Sequence, residues 1–296
     1  MNKFYKNKSI LVSGGAGFIG STICKKLVSL DAKVTVLDNL SSGNLNNLKE
    51  IQDKIEFIKG DVRCKKTCLQ AAQNKHVIFH LAALVSVPES VEKPRECHEN
   101  NVDGTFNLLE AANLTGVESF IFSSSSAVYG KQTEACHENM MPNPESPYGA
   151  SKLIGEILCK QFAINTNLKT VCLRYFNVFG PNQNPKGSYA AVVAKFKDCM
   201  INNQDINIFG DGLQTRDFIP VEQVVEANLK AAMLPKEKMG GEIFNVATGK
   251  SITLLELIDT LKKDFPHFTG TIKTGIDRPG DLRHSSANCN KLKELM

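Results

Sequence analysis

The segment Gly14-Gly15-Ala16-Gly17-Phe18-Ile19-Gly20 follows a short apolar run, Ser9-Ile10-Leu11-Val12-Ser13, and opens an amphipathic stretch that ends near Leu30. Strand, glycine turn and helix in that order constrain the fold more than any other feature of the chain. Such a turn brings main-chain N–H groups and the positive end of a helix against a pyrophosphate. Glycine is required where the turn is tight and where backbone or ligand comes close. The pattern predicts a dinucleotide site that includes Gly14, Gly17, Phe18 and Ile19. The glycine spacing is GxxGxxG rather than GxGxxG.

The rest of the chain continues the rhythm. Strands are expected at Ile10–Ser13, Lys33–Leu37, Ile55–Ile58, Val77–Leu81, Phe120–Ser123 and Val171–Arg174. Helices are expected near Phe18–Leu30, Val102–Leu114 and Gly149–Ile164. Short apolar strands alternating with helices argue for a parallel sheet covered on both faces, hence an α/β doubly wound fold. After about Gly180 a turn-rich stretch, Gly180 to Gly187, breaks the pattern. Helices near Ala190–Ile201, Val221–Met233 and Leu254–Phe265, with strands at Ile206–Phe209 and Ile243–Val246, then form a smaller lobe. The expected division is 1–180 for the nucleotide-binding part and 181–296 mainly for a substrate lobe, with some segments returning to the large part.

The net charge of +4 is mild, and lysines are spread along the chain with no basic block, so nucleic acid is not an expected partner. Nine cysteines at irregular spacing, with no CxxC pair, read as free thiols in a reducing compartment. Cys64 and Cys68 lack a second Cys/His pair, so no metal site is expected. The N-terminus carries no apolar signal core and no long apolar span follows, which points to a cytoplasmic protein without a membrane partner.

The second strand ends in Asp38-Asn39, roughly 20 residues past the glycines, where an acid accepts hydrogen bonds from both ribose hydroxyls of an adenosine. It would repel a 2′-phosphate, so NAD is favoured over NADP. Asp61-Val62 after the third strand is placed to meet adenine, and Leu81-Ala82-Ala83 after the fourth lets backbone approach the cofactor. Either of these last two is also compatible with ordinary strand-end chemistry.

Tyr148 and Lys152 stand four residues apart, on one face of an expected helix. A free phenol has a pKa of about 10 and is a poor base at neutral pH. A nearby ammonium and an oxidised nicotinamide would favour phenolate, which could take a proton from a sugar hydroxyl while hydride leaves the same carbon. A YxxxK pair alone is common by chance, and Pro147 before it also marks a helix start. Ser123-Ser124-Ser125-Ser126, at the carboxyl end of the fifth strand, adds hydroxyls at the sheet edge where such folds bind ligands.

These segments, taken in order, resemble the extended short-chain dehydrogenase/reductases, and the nucleotide-sugar 4-epimerases among them. The likeness is carried by Gly14–Gly20, Asp38-Asn39-Leu40, Ser123–Gly130, Ser146–Lys152, Leu173–Gly180, Arg216-Asp217-Phe218 and Arg278-Pro279-Gly280-Asp281-Leu282. It spans nearly the whole chain. The resemblance implies a resident NAD, with Tyr148 as base and Lys152 holding the nicotinamide ribose. Ser125 would be the catalytic hydroxyl, and a 4-keto sugar the intermediate. It further implies that Ser125, Ser126 and Tyr148 face the sugar, that Asn177, Arg216 and Arg278 bind the UDP part, and that Asp281 reaches its ribose. Arginine suits a diphosphate because its planar fork donates two hydrogen bonds at once.

In this family a residue shortly after the Gly280-Asp281-Leu282 stretch walls the pocket beside the sugar's 2-substituent. The count toward Ala287 places Ser285 there, with His284 and Ser286 beside it, where a tyrosine would restrict the site to plain hexoses. Ala191 stands where some plain-hexose members carry a larger polar residue. UDP-N-acetylglucosamine is therefore the expected substrate, with UDP-glucose and UDP-galactose also considered. A 4,6-dehydratase needs an acid and base just after the Ser/Thr, where this chain has Ser126-Ala127. A UDP-glucuronate 4-epimerase or decarboxylase stays open, with Ser125, Ser126 and Lys186 for the carboxylate, and so does an NAD-sensing scaffold that has lost the chemistry. The resemblance also implies a homodimer through the helices near Val102–Leu114 and Gly149–Ile164, where Phe106, Leu109, Ile157 and Leu158 suit either core or seam. Relatives usually run on for another helix or more beyond Met296, which could weaken the second lobe.

Overall fold

The computed structural model describes residues 1–183, 192–276 and 283–295. Lys186, Ala191, Arg278 and Asp281 lie outside the described residues.

The described strands are β1 (Ser9–Ser13), β2 (Lys33–Asp38), β3 (Ile55–Lys59), β4 (Val77–His80), β5 (Ser119–Ser125), β6 (Lys169–Tyr175), β7 (Asn177–Phe179), β8 (Ile206–Phe209), β9 (Thr215–Pro220), β10 (Gly240–Val246), β11 (Ser251–Thr253), β12 (Ile272–Gly275) and β13 (His284–Ser285). Seven form one sheet in the order β10-β6-β5-β4-β1-β2-β3, and every neighbouring pair is parallel. Burial on both faces explains why the inner strands read as apolar runs. The strand period of two sends Ile10 and Val12 of β1 into one core and Leu11 into the other. Likewise Val171 and Leu173 of β6 enter the first core and Cys172 the second. Helices Phe18–Ser29 and Val221–Ala231 cover the first face through Ile23, Leu27 and Val224. Helices Lys65–Ala72, Gly104–Leu114 and Pro147–Asn165 cover the second through Cys68, Leu108 and Cys159.

The chain leaves β1 toward β2 and β3, then crosses to β4 on the other side of β1. The crevice at the carboxyl ends of β1 and β4 is therefore the switch point where doubly wound sheets hold ligands. A strand end and a glycine turn meet there.

Beyond residue 180 the chain divides its work. β10 returns to the large sheet beside β6, with Ile243 opposite Cys172 and Val246 opposite Tyr175. β9 organises a smaller sheet: it pairs in parallel with β7 and β13 and antiparallel with β11. A third core, with Phe196, Ile208 and Ile258, packs helices Val192–Ile201 and Leu254–Lys262 against β8. A capping box at Thr253 and Glu256 starts the second of these helices, as expected for a Thr-x-x-Glu sequence.

The stretch before Gly104 differs from expectation. Helices Val87–Glu92 and Pro94–His98 lead into a π-helical turn, Glu99–Asp103, and only then does the α-helix to Leu114 begin. Beside Cys97 and Val102, the polar Ser90, Asn101 and Thr105 are buried here, so the apolar period is broken. Among the described residues no helix is long and apolar enough to cross a membrane.

Candidate active site

The glycine turn has the shape a diphosphate requires. Gly14 has a φ of 70°, and a Cβ added there would lie 2.7 Å from the Ala82 nitrogen. A Cβ on Gly20 would overlap the Gly14 carbonyl. Gly17 donates to the Gly14 carbonyl at 3.1 Å and precedes the helix Phe18–Ser29 as an N-cap without a side-chain acceptor. The first-turn N–H groups of Phe18 and Ile19 thus have no capping side chain to satisfy them, which suits an anionic ligand.

Asp38, buried at the tip of β2, accepts from the Ala16 N–H at 2.9 Å through Oδ2 and from the Leu40 N–H at 2.8 Å through Oδ1. Each oxygen keeps lone-pair capacity for a diol, whereas a further phosphate would meet only negative charge. Glycine at 43 leaves room beside it, because a Cβ there would come 2.9 Å from Oδ1. Asn39 donates to Asp61 Oδ2 at 3.0 Å, and Arg63 binds Asp61 through Nε and Nη2 at 3.0 and 2.7 Å. The Arg63 guanidinium holds the Asp61 carboxyl down at about 2. Val62 turns its side chain into the core, while Leu81, Ala82 and Ala83 remain partly accessible past β4. Cradle and acid together fit a dinucleotide with a free adenosine ribose, which is NAD.

The expected catalytic residues come from two elements. Ser125 ends β5, and its Oγ accepts from the Ala127 N–H at 3.1 Å. Helix Pro147–Asn165 starts with Ser146 as N-cap, its hydroxyl accepting from the Gly149 N–H at 3.1 Å. Glycine at 149 lets the helix start approach the turn after Ser125, since a Cβ there would come 2.6 Å from the Ala127 oxygen. The Tyr148 N–H donates to buried Ser90 Oγ at 3.1 Å. Burial pushes the Tyr148 phenol up, and a hydrogen bond with Ser125 pulls it the other way. Lys152 is buried one turn on; its Nζ donates to the Ser123 carbonyl at 2.8 Å and lies 5.8 Å from the Tyr148 ring centre. Burial lowers the Lys152 ammonium to about 8. The three sequence-predicted catalytic residues therefore converge at the carboxyl edge of the sheet.

A set of supporting residues escaped the sequence reading. His80 at the end of β4 contacts Ser13 Oγ through Nδ1 at 2.6 Å and Thr105 Oγ1 through Nε2 at 2.9 Å. Thr105 donates its own proton to the Asn101 carbonyl at 2.6 Å, so Nε2 carries the imidazole proton and Ser13 donates to Nδ1. Ser13 Oγ in turn accepts from the N–H groups of Leu81 and Ala82 at 3.2 and 3.4 Å. Burial, then the Lys152 charge, hold the His80 ring down at about 3, so it is neutral. Asn101, on the π-helical turn, donates to the Leu84 carbonyl at 3.0 Å and to Ser151 Oγ at 2.9 Å, and accepts from the Leu84 N–H at 2.7 Å. It ties the loop after β4 to the helix that bears Lys152. The available signal was polar residue types inside otherwise apolar elements.

On the substrate side, Asn177 opens β7 and donates to the Asp217 carbonyl at 3.1 Å, which places it against β9. Arg216 on β9 donates from Nη1 to the Thr215 carbonyl at 2.8 Å. Fully buried Asp217 beside it accepts from the N–H groups of Thr248 and Gly249, both at 2.8 Å, and so shapes the turn before β11. Ser285 on β13 pairs with Arg216 and shares a cavity of about 300 Å³ with Ser126, Phe176, Thr215 and Ser251. The structure thus brings Ser126, next in sequence to Ser125, and Ser285 to one space.

Comparison with known proteins identifies the family. The model of the "NAD dependent epimerase/dehydratase family" matches residues 10–247. A UDP-glucose 4-epimerase of Mycolicibacterium smegmatis is 39% identical over 296 residues, covering 97% of this chain and 91% of that protein. A UDP-N-acetyl-alpha-D-glucosaminuronate decarboxylase of Bacillus cytotoxicus is 36% identical over 260 residues, covering 84% and 78%. Among solved structures, a UDP-N-acetylglucosamine 4-epimerase from Methanobrevibacter ruminantium M1, in complex with UDP-N-acetylmuramic acid, superposes with a TM-score of 0.92 at 39% identity. The match covers 98% of this chain and 92% of that one.

Proposed function

This chain belongs to the NAD dependent epimerase/dehydratase family, and from that premise we propose that it interconverts the C4 epimers of a UDP-sugar, principally UDP-N-acetylglucosamine and UDP-N-acetylgalactosamine. The observation that carries the reading is the meeting of Ser125, Tyr148 and Lys152 across the sheet edge from the Gly14 turn. NAD, held by the Gly14–Gly20 turn and Asp38, would supply a hydride acceptor and donor for the sugar's C4. Tyr148 Oη takes the C4 hydroxyl proton and later gives it back. Ser125 Oγ holds the same oxygen and, through its bond to Tyr148, favours the phenolate. The Lys152 ammonium adds positive charge beside the ring and would hold the nicotinamide ribose. Asn177 and Arg216, joined by Arg278 and Asp281, grip the UDP part while the keto sugar turns.

The preference for an N-acetylated sugar rests on Ser285. A small side chain there leaves the cavity beside Ser126 and Phe176 open for a 2-acetamido group. Incubation with UDP-glucose, UDP-N-acetylglucosamine and UDP-glucuronate, followed by separation of C4 epimers, tests the proposal. The expected result is the highest kcat/KM for the N-acetylated pair. Carbon dioxide release from UDP-glucuronate would instead identify a decarboxylase, and cofactor retention without conversion of any sugar would identify a scaffold. Phe106 and Ile157 are exposed while Leu109 is core; the two exposed side chains support a homodimer through their helices.

A further inference from the structure

One turn beyond Lys152, on the same face of the same helix, stands a second buried charge, Glu156. Lysine and glutamate at this spacing ordinarily pair. Here they do not. Glu156 Oε1 accepts from Arg174 Nε at 2.8 Å and from Ser124 Oγ at 2.5 Å, and Oε2 accepts from Arg174 Nη2 at 2.7 Å. Lys152 Nζ is left to the Ser123 carbonyl. Arg174 lies on β6, 1% exposed, with its guanidinium 4.6 Å from the centre of the Tyr129 ring. Two parallel N–H donors and a serine hydroxyl occupy the carboxylate, which satisfies its best acceptor directions.

We propose that Arg174 is a positioning residue for the epimerisation: by engaging Glu156 in a bidentate pair it keeps that carboxylate off Lys152, so that the Lys152 ammonium acts on Tyr148. Buried ion pairs are seldom retained for stability alone, because apolar residues of equal volume often serve as well. A strand–helix pair directly behind the reacting lysine has an electrostatic use. It presents Lys152 with a charge sum near zero instead of an adjacent counter-ion.

The other groups around these side chains do not supply the same control. Lys152 faces His80 from β4, Cys97 from the helix Pro94–His98 and Cys159 from its own helix, besides Tyr148. Tyr148 faces Ser125, Cys97 and Tyr175. His80 is neutral, and burial raises the Cys97 thiol and the Tyr175 phenol. Arg174 and Glu156 themselves face Tyr129, Cys136 and Cys172, all pushed up by their surroundings. Among these described groups Glu156 is the carboxylate.

The inference rests on Tyr148 and Lys152 acting as proposed above, and its test reads the phenol directly. With ¹³Cζ-tyrosine incorporated, the Tyr148 resonance, assigned by its loss in Tyr148→Phe, is titrated in the purified enzyme with its bound cofactor. The acid limb of kcat against pH is followed in parallel. Arg174→Met leaves Glu156 to turn on Lys152 and should raise both midpoints by about one unit. Glu156→Gln leaves the Arg174 charge unopposed and should lower them. The double variant Glu156→Gln/Arg174→Met should return them to the wild-type values, as should Arg174→Lys. Opposite signs for the two single changes are what a merely structural pair would not produce. Shifts of equal sign, or none, overturn the proposal. If Arg174→Met does not fold, a downward shift in Glu156→Gln that the double variant cancels supports it, and an unshifted Glu156→Gln overturns it. Full activity of Tyr148→Phe would refute the role of Tyr148 itself while leaving the meaning of the other titrations intact.

Discussion

The seven-stranded sheet and the smaller sheet around β9 treat their functional residues in opposite ways. On the large sheet each group belongs to a backbone position that the fold dictates: the turn after β1, the tip of β2, the end of β5, the first turn of a helix. Asp38 and Lys152 are buried and held by main-chain partners within 3 Å. On the smaller sheet Asn177, Arg216 and Ser285 are partly exposed, and Ser285 lines an open space. On the proposed reading, chemistry sits where the backbone leaves no freedom, and selectivity where a side chain can be exchanged without disturbing a core. Substitutions on the two sheets should therefore fail differently.

The sharpest break is expected at Tyr148. Tyr148→Phe should cut kcat by about a thousandfold while cofactor content stays unchanged; retention of a large part of the rate would remove the phenol from the reaction. At the turn, Gly14→Val places a branched side chain at positive φ against the Ala82 backbone. It should weaken NAD by about 10- to 100-fold, read as cofactor released per chain on denaturation. Asp38→Ala follows. Loss of its charged acceptors should weaken NAD by about tenfold or somewhat more and relax exclusion of NADP, both measurable by calorimetric titration of the stripped protein. On the other sheet, Ser285→Tyr should lower kcat/KM for the N-acetylated sugar by about tenfold with cofactor content and plain-hexose turnover preserved. Undiminished turnover of the N-acetylated sugar would take Ser285 out of the pocket wall. The smallest effect belongs to His80. Its ring titrates at about 3 in the folded protein and near 6.5 when unfolded. The unfolded chain binds the extra proton in that window, so stability is full above it and falls with falling pH. Urea midpoints of His80→Gln should show a flatter slope between pH 7 and 5 than the wild type, whatever the absolute stability.

Much of the large sheet was legible because its information is one-dimensional. Six strands and three helices follow from apolar runs, and the glycine turn, Asp38 and the Tyr148–Lys152 spacing lie within single short segments. What was not legible required pairing across distance. The Thr215–Pro220 segment carries Thr, Arg and Asp and does not read as a strand, yet β9 is the centre of the smaller sheet because β7, β11 and β13 come to it from both sides in sequence. His80, Asn101 and the Glu156–Arg174 pair look like isolated polar residues in apolar or amphipathic stretches. Only the packing shows that each completes a hydrogen bond begun elsewhere. Ser126 and Ser285, far apart in the chain, share a cavity for the same reason.

The seventh strand of the large sheet has a consequence for how the molecule is made. β10 is synthesised more than sixty residues after β6, its partner. Until it emerges, β6 is an unpaired edge whose Val171, Cys172 and Leu173 are core residues in the finished protein. Exposed apolar edges of this kind recruit foreign strands. Closure of the sheet also waits on a pairing distant in sequence, which slows folding. The nascent chain therefore passes through a period in which its nucleotide-binding half is nearly built and still adhesive. Slowing translation between residues 176 and 239 should lengthen that period and lower the yield of native protein, without altering the enzyme that survives it.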